Sequence, residues 1–213
     1  AARAAAGCEM IVERQPLEDR SHFERGQLPP ADQVYTGVRP THSGPHSASV
    51  VGISTYSRQM EEVVSTHNLE HGAVIVWWDE SIDAGPIESW AETLNASGFE
   101  GPAGSGVGII TSPWTDPGFD DDSTTVAFRA WGTAMDCEEW DETVANEFVA
   151  RNFTTRGIGP ERFFYEYPEH VLDLDGVELE DTSPEEAPTD EHTPEEELEG
   201  DDALDGEADD ADG

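Results

Sequence analysis

Ser57-Arg58-Gln59-Met60-Glu61-Glu62-Val63-Val64-Ser65-Thr66-His67-Asn68-Leu69-Glu70-His71-Gly72-Ala73-Val74-Ile75-Val76-Trp77-Trp78 contains the change of hydrophobic period that decides the fold class. Met60, Val63, Val64, His67 and His71 recur at three-, four- and seven-residue spacings, which predicts a helix over 57–71 with these side chains on one face. Gly72 supplies its stop. Residues 73–78 are then continuously apolar, β-branched and aromatic, as expected of a strand buried on both faces.

Working outward, residues 87–97 follow Pro86 and read as a second helix that ends before Gly98. Residues 107–111 and 124–131 read as two further strands, separated by a turn region rich in Pro and Asp. A third helix is expected over 140–153, with Val144, Phe148 and Val149 facing inward and Asp141 and Glu142 suited to its first turn. Residues 162–167, Arg162-Phe163-Phe164-Tyr165-Glu166-Tyr167, read as a last short edge strand. The order helix, strand, helix, strand, strand, helix predicts an α+β fold in which helices cover a small sheet. Upstream, residues 14–54 are rich in Pro, Gly, Ser and His with little periodicity, so a long, loop-like N-terminal arm is expected to wrap on the core. Long ordered loops in compact domains tend to carry function, which draws notice to the motifs inside it.

The chain of 213 residues holds 48 acidic residues against 10 basic ones, all arginine, for a net charge of −38. Twenty of the acidic residues fall in 173–213, which has no basic residue, so residues 1–172 still carry −18. Such a field repels phosphate backbones and anionic membrane surfaces, which excludes nucleic-acid binding and disfavours electrostatic membrane docking. From 181 onward Pro, Glu, Asp and Thr recur with almost no large apolar residue, too little to offset the entropy of ordering. The expected organisation is residual leader or linker in 1–7, a single α+β domain in 8–172 and a disordered acidic tail in 173–213.

The chain opens Ala1-Ala2-Arg3-Ala4-Ala5-Ala6-Gly7-Cys8 without a Met, so a signal peptide or membrane anchor is expected to have preceded it. Cys8 and Cys137 are the only cysteines and neither belongs to a Cys-x-x-Cys pair, which excludes a cysteine-rich zinc site. Together with a lost leader they favour one disulfide formed in an oxidising compartment; two separate buried thiols are the alternative.

Five of the seven histidines, His22, His42, His46, His67 and His71, lie within fifty residues of one another. His67 and His71 are four apart, so on a helix both imidazoles project from one face and can share an ion. Gly44-Pro45 forms a tight turn that would aim His46 from the arm, and His22 offers a fourth ligand. Imidazoles suit zinc, copper or nickel, and Met60 and Met135 would shift the preference toward copper if they reached the site. The same stretch, His67-Asn68-Leu69-Glu70-His71, also matches the His-x-x-Glu-His pattern of inverted zinc peptidases, in which Glu70 would activate water. The glycine-rich 98–108 lacks the lysine and spacing of a phosphate-cradling loop, and no small-molecule substrate can be identified.

With Pro40-Thr41-His42-Ser43-Gly44-Pro45-His46, then His67-Asn68-Leu69-Glu70-His71-Gly72, then Ala130-Trp131-Gly132, the sequence resembles the bacterial domain-of-unknown-function family DUF3105. Gly7-Cys8 and Asp136-Cys137 look like that family's flanking features, so the resemblance runs roughly from Cys8 to Tyr167. It implies an exported or membrane-anchored domain and names no activity. His42 departs from the family's Pro-Pro-Thr-Ser-Gly-Pro-His pattern, which makes it a poorer ligand than His46.

The leading expectation is a non-enzymatic, extracytoplasmic domain, whether secreted, periplasmic or anchored at the cell surface. It would bind copper or zinc through His46, His67 and His71, with His22 as fourth ligand. The alternatives are a structural or interaction module whose histidines hydrogen-bond the arm to the core, with its protein partner unspecified, and a zinc hydrolase using Glu70.

Overall fold

A computed structural model describes residues 1–24 and 26–165; the expected acidic tail, 173–213, and Glu166 and Tyr167 of the expected edge strand lie outside them. The architecture is α+β, with a mixed five-stranded sheet and helices on both faces. β1 is Glu9–Val12, β2 His22–Phe23, β3 His46–Ser47, β4 Val74–Trp78, β5 Ile109–Pro113, β6 Val126–Ala130 and β7 Thr133–Cys137. The sheet order is β1-β7-β6-β4-β5, parallel between β4 and β5 and antiparallel elsewhere. β2 and β3 form a separate parallel pair.

The helices are α1 (Ala2–Ala5), α2 (Ala31–Val34), α3 (Glu62–Glu70), α4 (Gly85–Leu94) and α5 (Glu142–Asn152). Strand alternation sorts the core into two layers. Val74, Val76, Trp78, Val126 and Phe128 pack against Ile87 and Trp90 of α4 and Val144 and Phe148 of α5. Ile75, Trp77 and Ala127 face the other way, onto Leu69 of α3, Met60, Trp114 and Trp131. β4 is buried at all five positions, because helices cover both of its faces.

Several expected boundaries move, each for a local reason. The first long helix starts at Glu62 rather than at 57, since the Met60 N–H donates to Ser112 Oγ at 3.0 Å and holds the preceding residues against β5. It is also not one-faced: eight of its nine residues are buried, because the arm covers the side turned away from the sheet. Gly72 ends it at φ +94°, where a Cβ would lie 2.7 Å from Thr154 Cα. α5 is capped by Asp141, whose carboxylate accepts the Val144 N–H at 3.0 Å.

β7, absent from the sequence reading, follows β6 through the two-residue turn Trp131-Gly132, with Gly132 at φ +68°. The expected edge strand is corrected: Arg162–Phe164 is a 3-10 turn, closed locally by Arg162 Nη1 donating to the Gly159 carbonyl at 2.7 Å. Cys8 and Cys137 form a disulfide that joins the start of β1 to the end of β7. Residues 2–5, expected within a leader or linker, form α1, and Ala6 enters the core. Among the described residues no helix is long and apolar enough to cross a membrane.

Candidate metal centre

The backbone that presents the histidines is tied down on several sides. His22 lies opposite His46 in the β2–β3 pair, where the His46 N–H donates to the Ser21 carbonyl at 3.0 Å. The loop leading to His46 is gripped by α3, as Glu62 accepts the Thr41 N–H at 2.6 Å and the Arg39 guanidinium at 2.6 and 3.0 Å. It is gripped by the sheet as well. Fully buried Arg129 of β6 donates from Nε to the Pro40 carbonyl at 2.6 Å and from Nη1 to Asp136 at 2.7 Å. The Tyr35 hydroxyl donates to the Pro45 carbonyl at 2.7 Å and lies 3.1 Å from Thr66 Oγ1; burial pushes its pKa above the usual value.

Along α3 the helical spacing divides the labour of the His-Asn-Leu-Glu-His run. Leu69 enters the core beneath the helix. Asn68 is fully buried and fastens two loops: its Nδ2 donates to the Val51 and Gly106 carbonyls at 2.9 Å each, and its Oδ1 accepts the Val51 N–H at 2.9 Å. His67 and Glu70, three residues apart, come to the same side. His71 falls on the helix's C-cap, where its Nδ1 donates to the Ser105 carbonyl and its Nε2 lies 3.1 Å from Glu161 Oε2.

His46 Nδ1 is 2.7 Å from the Gly44 carbonyl, which can only accept, so Nδ1 carries the hydrogen and Nε2 of the neutral ring carries the lone pair. That Nε2 lies 3.1 Å from His22 Nε2 and 3.0 Å from Glu70 Oε2; His22 Nε2 is 3.7 Å from the same oxygen. The His67 ring centroid is 4.9 Å from those of both His22 and His46. One ligand atom from each of His22, His46, His67 and Glu70 lies within 4.8 Å of all the others, and this group could hold a metal ion. Around tetrahedral zinc with ligands at 2.0–2.1 Å, donor atoms stand about 3.3–3.4 Å apart, and the separations of 3.0, 3.1 and 3.7 Å straddle that spacing.

The electrostatics suit a cation. Burial, with repulsion from His71, His46 and His22, lowers the His67 pKa to about 4. Burial works to raise that of Glu70, but contacts with His46, His22 and His67 outweigh it and hold the carboxyl below its usual range. Both groups therefore present lone pairs at neutral pH. Glu70 Oε2 and His67 Nδ1 are buried with no hydrogen-bond partner among the described residues, the former at ion-pair distance from His46 but without hydrogen-bond geometry. Leaving such atoms unpaired is costly, and a bound cation would relieve both.

A second group, His67, His71 and Glu161, adjoins the first through the shared imidazole. An open polar depression of about 450 Å³, lined by Glu18, Asp19, Arg20, His22, Glu70 and Glu161, reaches both.

Three of the four histidines expected as ligands, His22, His46 and His67, are thus together, with Glu70 where His71 was expected. His71 joins the second group instead. His42 stays out of both: its Nδ1 is 2.9 Å from Ser43 Oγ, and burial, helped by nearby Arg129, lowers its pKa to about 4. Of the two thioethers, Met135 packs on the face of the sheet opposite α3, and Met60 packs among the apolar side chains of the α3-side core. Glu161 was missed; it lies ninety residues beyond His71 in an irregular segment with no pattern around it.

Fold and site together define a disulfide-linked α+β domain whose histidine–glutamate donor group has three buried members and an exposed one, His22. The chain belongs to the family described as protein of unknown function DUF3105, whose model matches residues 30–163. The match holds His46, His67, Glu70, His71 and Glu161 and starts downstream of His22 and Cys8. No curated protein and no solved structure matches the chain.

Proposed function

We propose that the protein is an extracytoplasmic, non-enzymatic domain that binds one transition-metal ion through His22, His46, His67 and Glu70. The observation that carries this reading is the convergence of three imidazoles and one carboxylate, two of whose buried ligand-type atoms lack a hydrogen-bond partner among the described residues. Three nitrogens and one oxygen, without thiolate or thioether, favour zinc or copper(II) over copper(I). The disulfide supports an oxidising compartment. Hydrolysis is the weaker use of these residues. With Glu70 among the donors the set is complete at four, leaving neither a free base nor an open coordination position.

The second reading, a structural module, is favoured by one contact: a protonated His46 paired with Glu70 at 3.0 Å would tie the arm to α3 with no ion. Titration of zinc and of copper(II) into the full chain, in competition with a chelating indicator strong enough to silence the tail carboxylates, separates the two. The expected result is one ion held by the oxidised protein, with affinity reduced at least 100-fold in Glu70→Gln while its circular dichroism is unchanged. That exceeds the roughly 10- to 100-fold cost of losing a supporting hydrogen bond. If the folded wild type takes no ion from the indicator, the metal reading fails and the histidines are structural pins.

A further inference from the structure

A histidine that binds a metal through one nitrogen ordinarily donates from the other to a carbonyl, a carboxylate or water. His46 and His71 are built this way, each with Nδ1 held by a backbone carbonyl, of Gly44 and of Ser105. His67 is not. It is 9 % exposed, belongs to both donor groups, and its buried Nδ1 has no hydrogen-bond partner among the described residues. Its ring neighbours those of both groups, with the centroids of His22 and His46 4.9 Å away and that of His71 4.5 Å away. His71 and Glu161 meet as two acceptors. With Nδ1 donating to Ser105, Nε2 of the neutral His71 ring carries a lone pair, and it lies 3.1 Å from Glu161 Oε2, which also only accepts. Such a contact needs a proton or a cation between its partners. The Glu161 backbone is itself fastened to α3, since its N–H donates to the Glu70 carbonyl at 3.1 Å.

We infer that His71 and Glu161 hold a second divalent ion, zinc or copper(II), which shares His67 with the first, so that this imidazole bridges the two ions. The inference rests on the proposed first site and enlarges it to a two-ion centre. The first set is complete at four donors without His71 or Glu161, whereas these two and the second nitrogen of His67 make three. Three protein donors leave a fourth position to water, and Glu161 lines the open depression from which water reaches it. The 3.1 Å between His71 Nε2 and Glu161 Oε2 is close to the ligand spacing of about 3.3–3.4 Å around tetrahedral zinc. Bridging releases one proton: the neutral His67 ring has a single N–H, the second ion takes the place of that hydrogen, and the proton passes to water with the oxidation states unchanged. Glu18 and Asp19 line the same depression and raise the cation concentration there by charge alone. With fewer protein donors, one of them already on an ion, the second site fills after the first and more weakly.

The test is calorimetric titration of zinc into the full oxidised chain, comparing wild type, Glu161→Gln, His71→Ala and Glu18→Gln. All four carry the same tail, so its weak sites cancel in the differences. The expected result is a second uptake step of one ion in the wild type, at least tenfold tighter than that background. Glu161→Gln and His71→Ala should lose this step and keep the first within threefold, while Glu18→Gln keeps both. Copper(II) supplies the readout of the bridge. The spins of two copper(II) ions joined through one imidazolate couple, so the low-temperature EPR intensity of the two-copper protein should fall below that of two isolated ions. Glu161→Gln carrying one copper should show its full intensity. A wild type with no step beyond those of the two donor variants reduces His71 and Glu161 to an ion pair and overturns the inference. So does a weakened first step in both variants with no second step in the wild type, which makes them ligands of a single site. A second step lost equally in Glu18→Gln reduces the effect to charge, and uncoupled spins at two coppers per chain place the second ion away from His67. A wild type that takes up no ion at all removes the proposed function and this inference with it, a result distinct from the others, in all of which a first step remains.

Discussion

His42 shows how little sequence proximity says about a histidine's role. Four residues from His46, it faces Ser43 and lies near Arg129, and its pKa is lowered to about 4 by burial first and by that guanidinium second. The unfolded chain would protonate it near 6.5. On acidification the unfolded state therefore takes up a proton before the folded one does. The stability this group contributes is complete above pH 6.5, declines as pH falls from 6.5 toward 4, and is gone below. The amount is on the order of 3 kcal/mol. His67, also lowered to about 4, and Glu70, lowered from its ordinary carboxylate value, act in the same direction. Urea midpoints of the metal-free protein should fall between pH 7.5 and 4.5, and His42→Asn should recover a large part of that fall. Equal falls in the variant and the wild type would show that the other groups set the acid sensitivity alone.

At the scale of elements, the strongly periodic pieces were legible and the polar-patterned ones were not. Residues 73–78 read as a strand because neither face of β4 meets water, and α5 was framed by its inward Val144, Phe148 and Val149. β7 was hidden because Asp136 interrupts its apolar run, and the reason for that carboxylate, the buried Arg129, sits on the neighbouring strand. Of the site, the imidazole cluster was legible and the choice of carboxylates was not. Spacing of four places His67 and His71 on one helical face, but α3 ends at Glu70 and Ser105 draws His71 aside. No spacing or motif singles out Asn68, yet it satisfies three backbone groups of the arm and the glycine-rich loop. Asn68→Ala should cost about 2–4 kcal/mol, since buried amide groups would lose their partners at about 1–3 kcal/mol each, with some relief from water. Amide exchange should locate the damage, with the Val51 N–H losing protection ahead of β4. Uniform loss across the sheet would mean that Asn68 supports the whole fold rather than the two loops.

Considered as a whole, the described molecule separates what fastens it from what it uses. The disulfide closes on the α5 side of the sheet, where Cys137 packs in the layer of Phe128 and Phe148. The donor group lies on the α3 side, among the arm, α3 and the depression. The arm between Cys8 and His22 does not hang from the disulfide alone. β1 pairs with β7, the Gln15 N–H donates to the Gly132 carbonyl at 2.9 Å, and Arg14 Nη2 donates to the Arg151 and Arg156 carbonyls. Removing the bridge should therefore weaken folding without dispersing the ligands. Cys8 and Cys137 are 129 residues apart, and chain-entropy reasoning assigns a loop of that length about 5 kcal/mol, toward the upper end of the about 2–5 kcal/mol that native bridges contribute. The double variant Cys8→Ser with Cys137→Ser should lose stability within that range by urea titration. Its zinc affinity, measured where the variant is fully folded, should stay within threefold of wild type. A parallel loss of affinity would show that His22 is held in place through the disulfide, and that redox state, not only stability, governs the site.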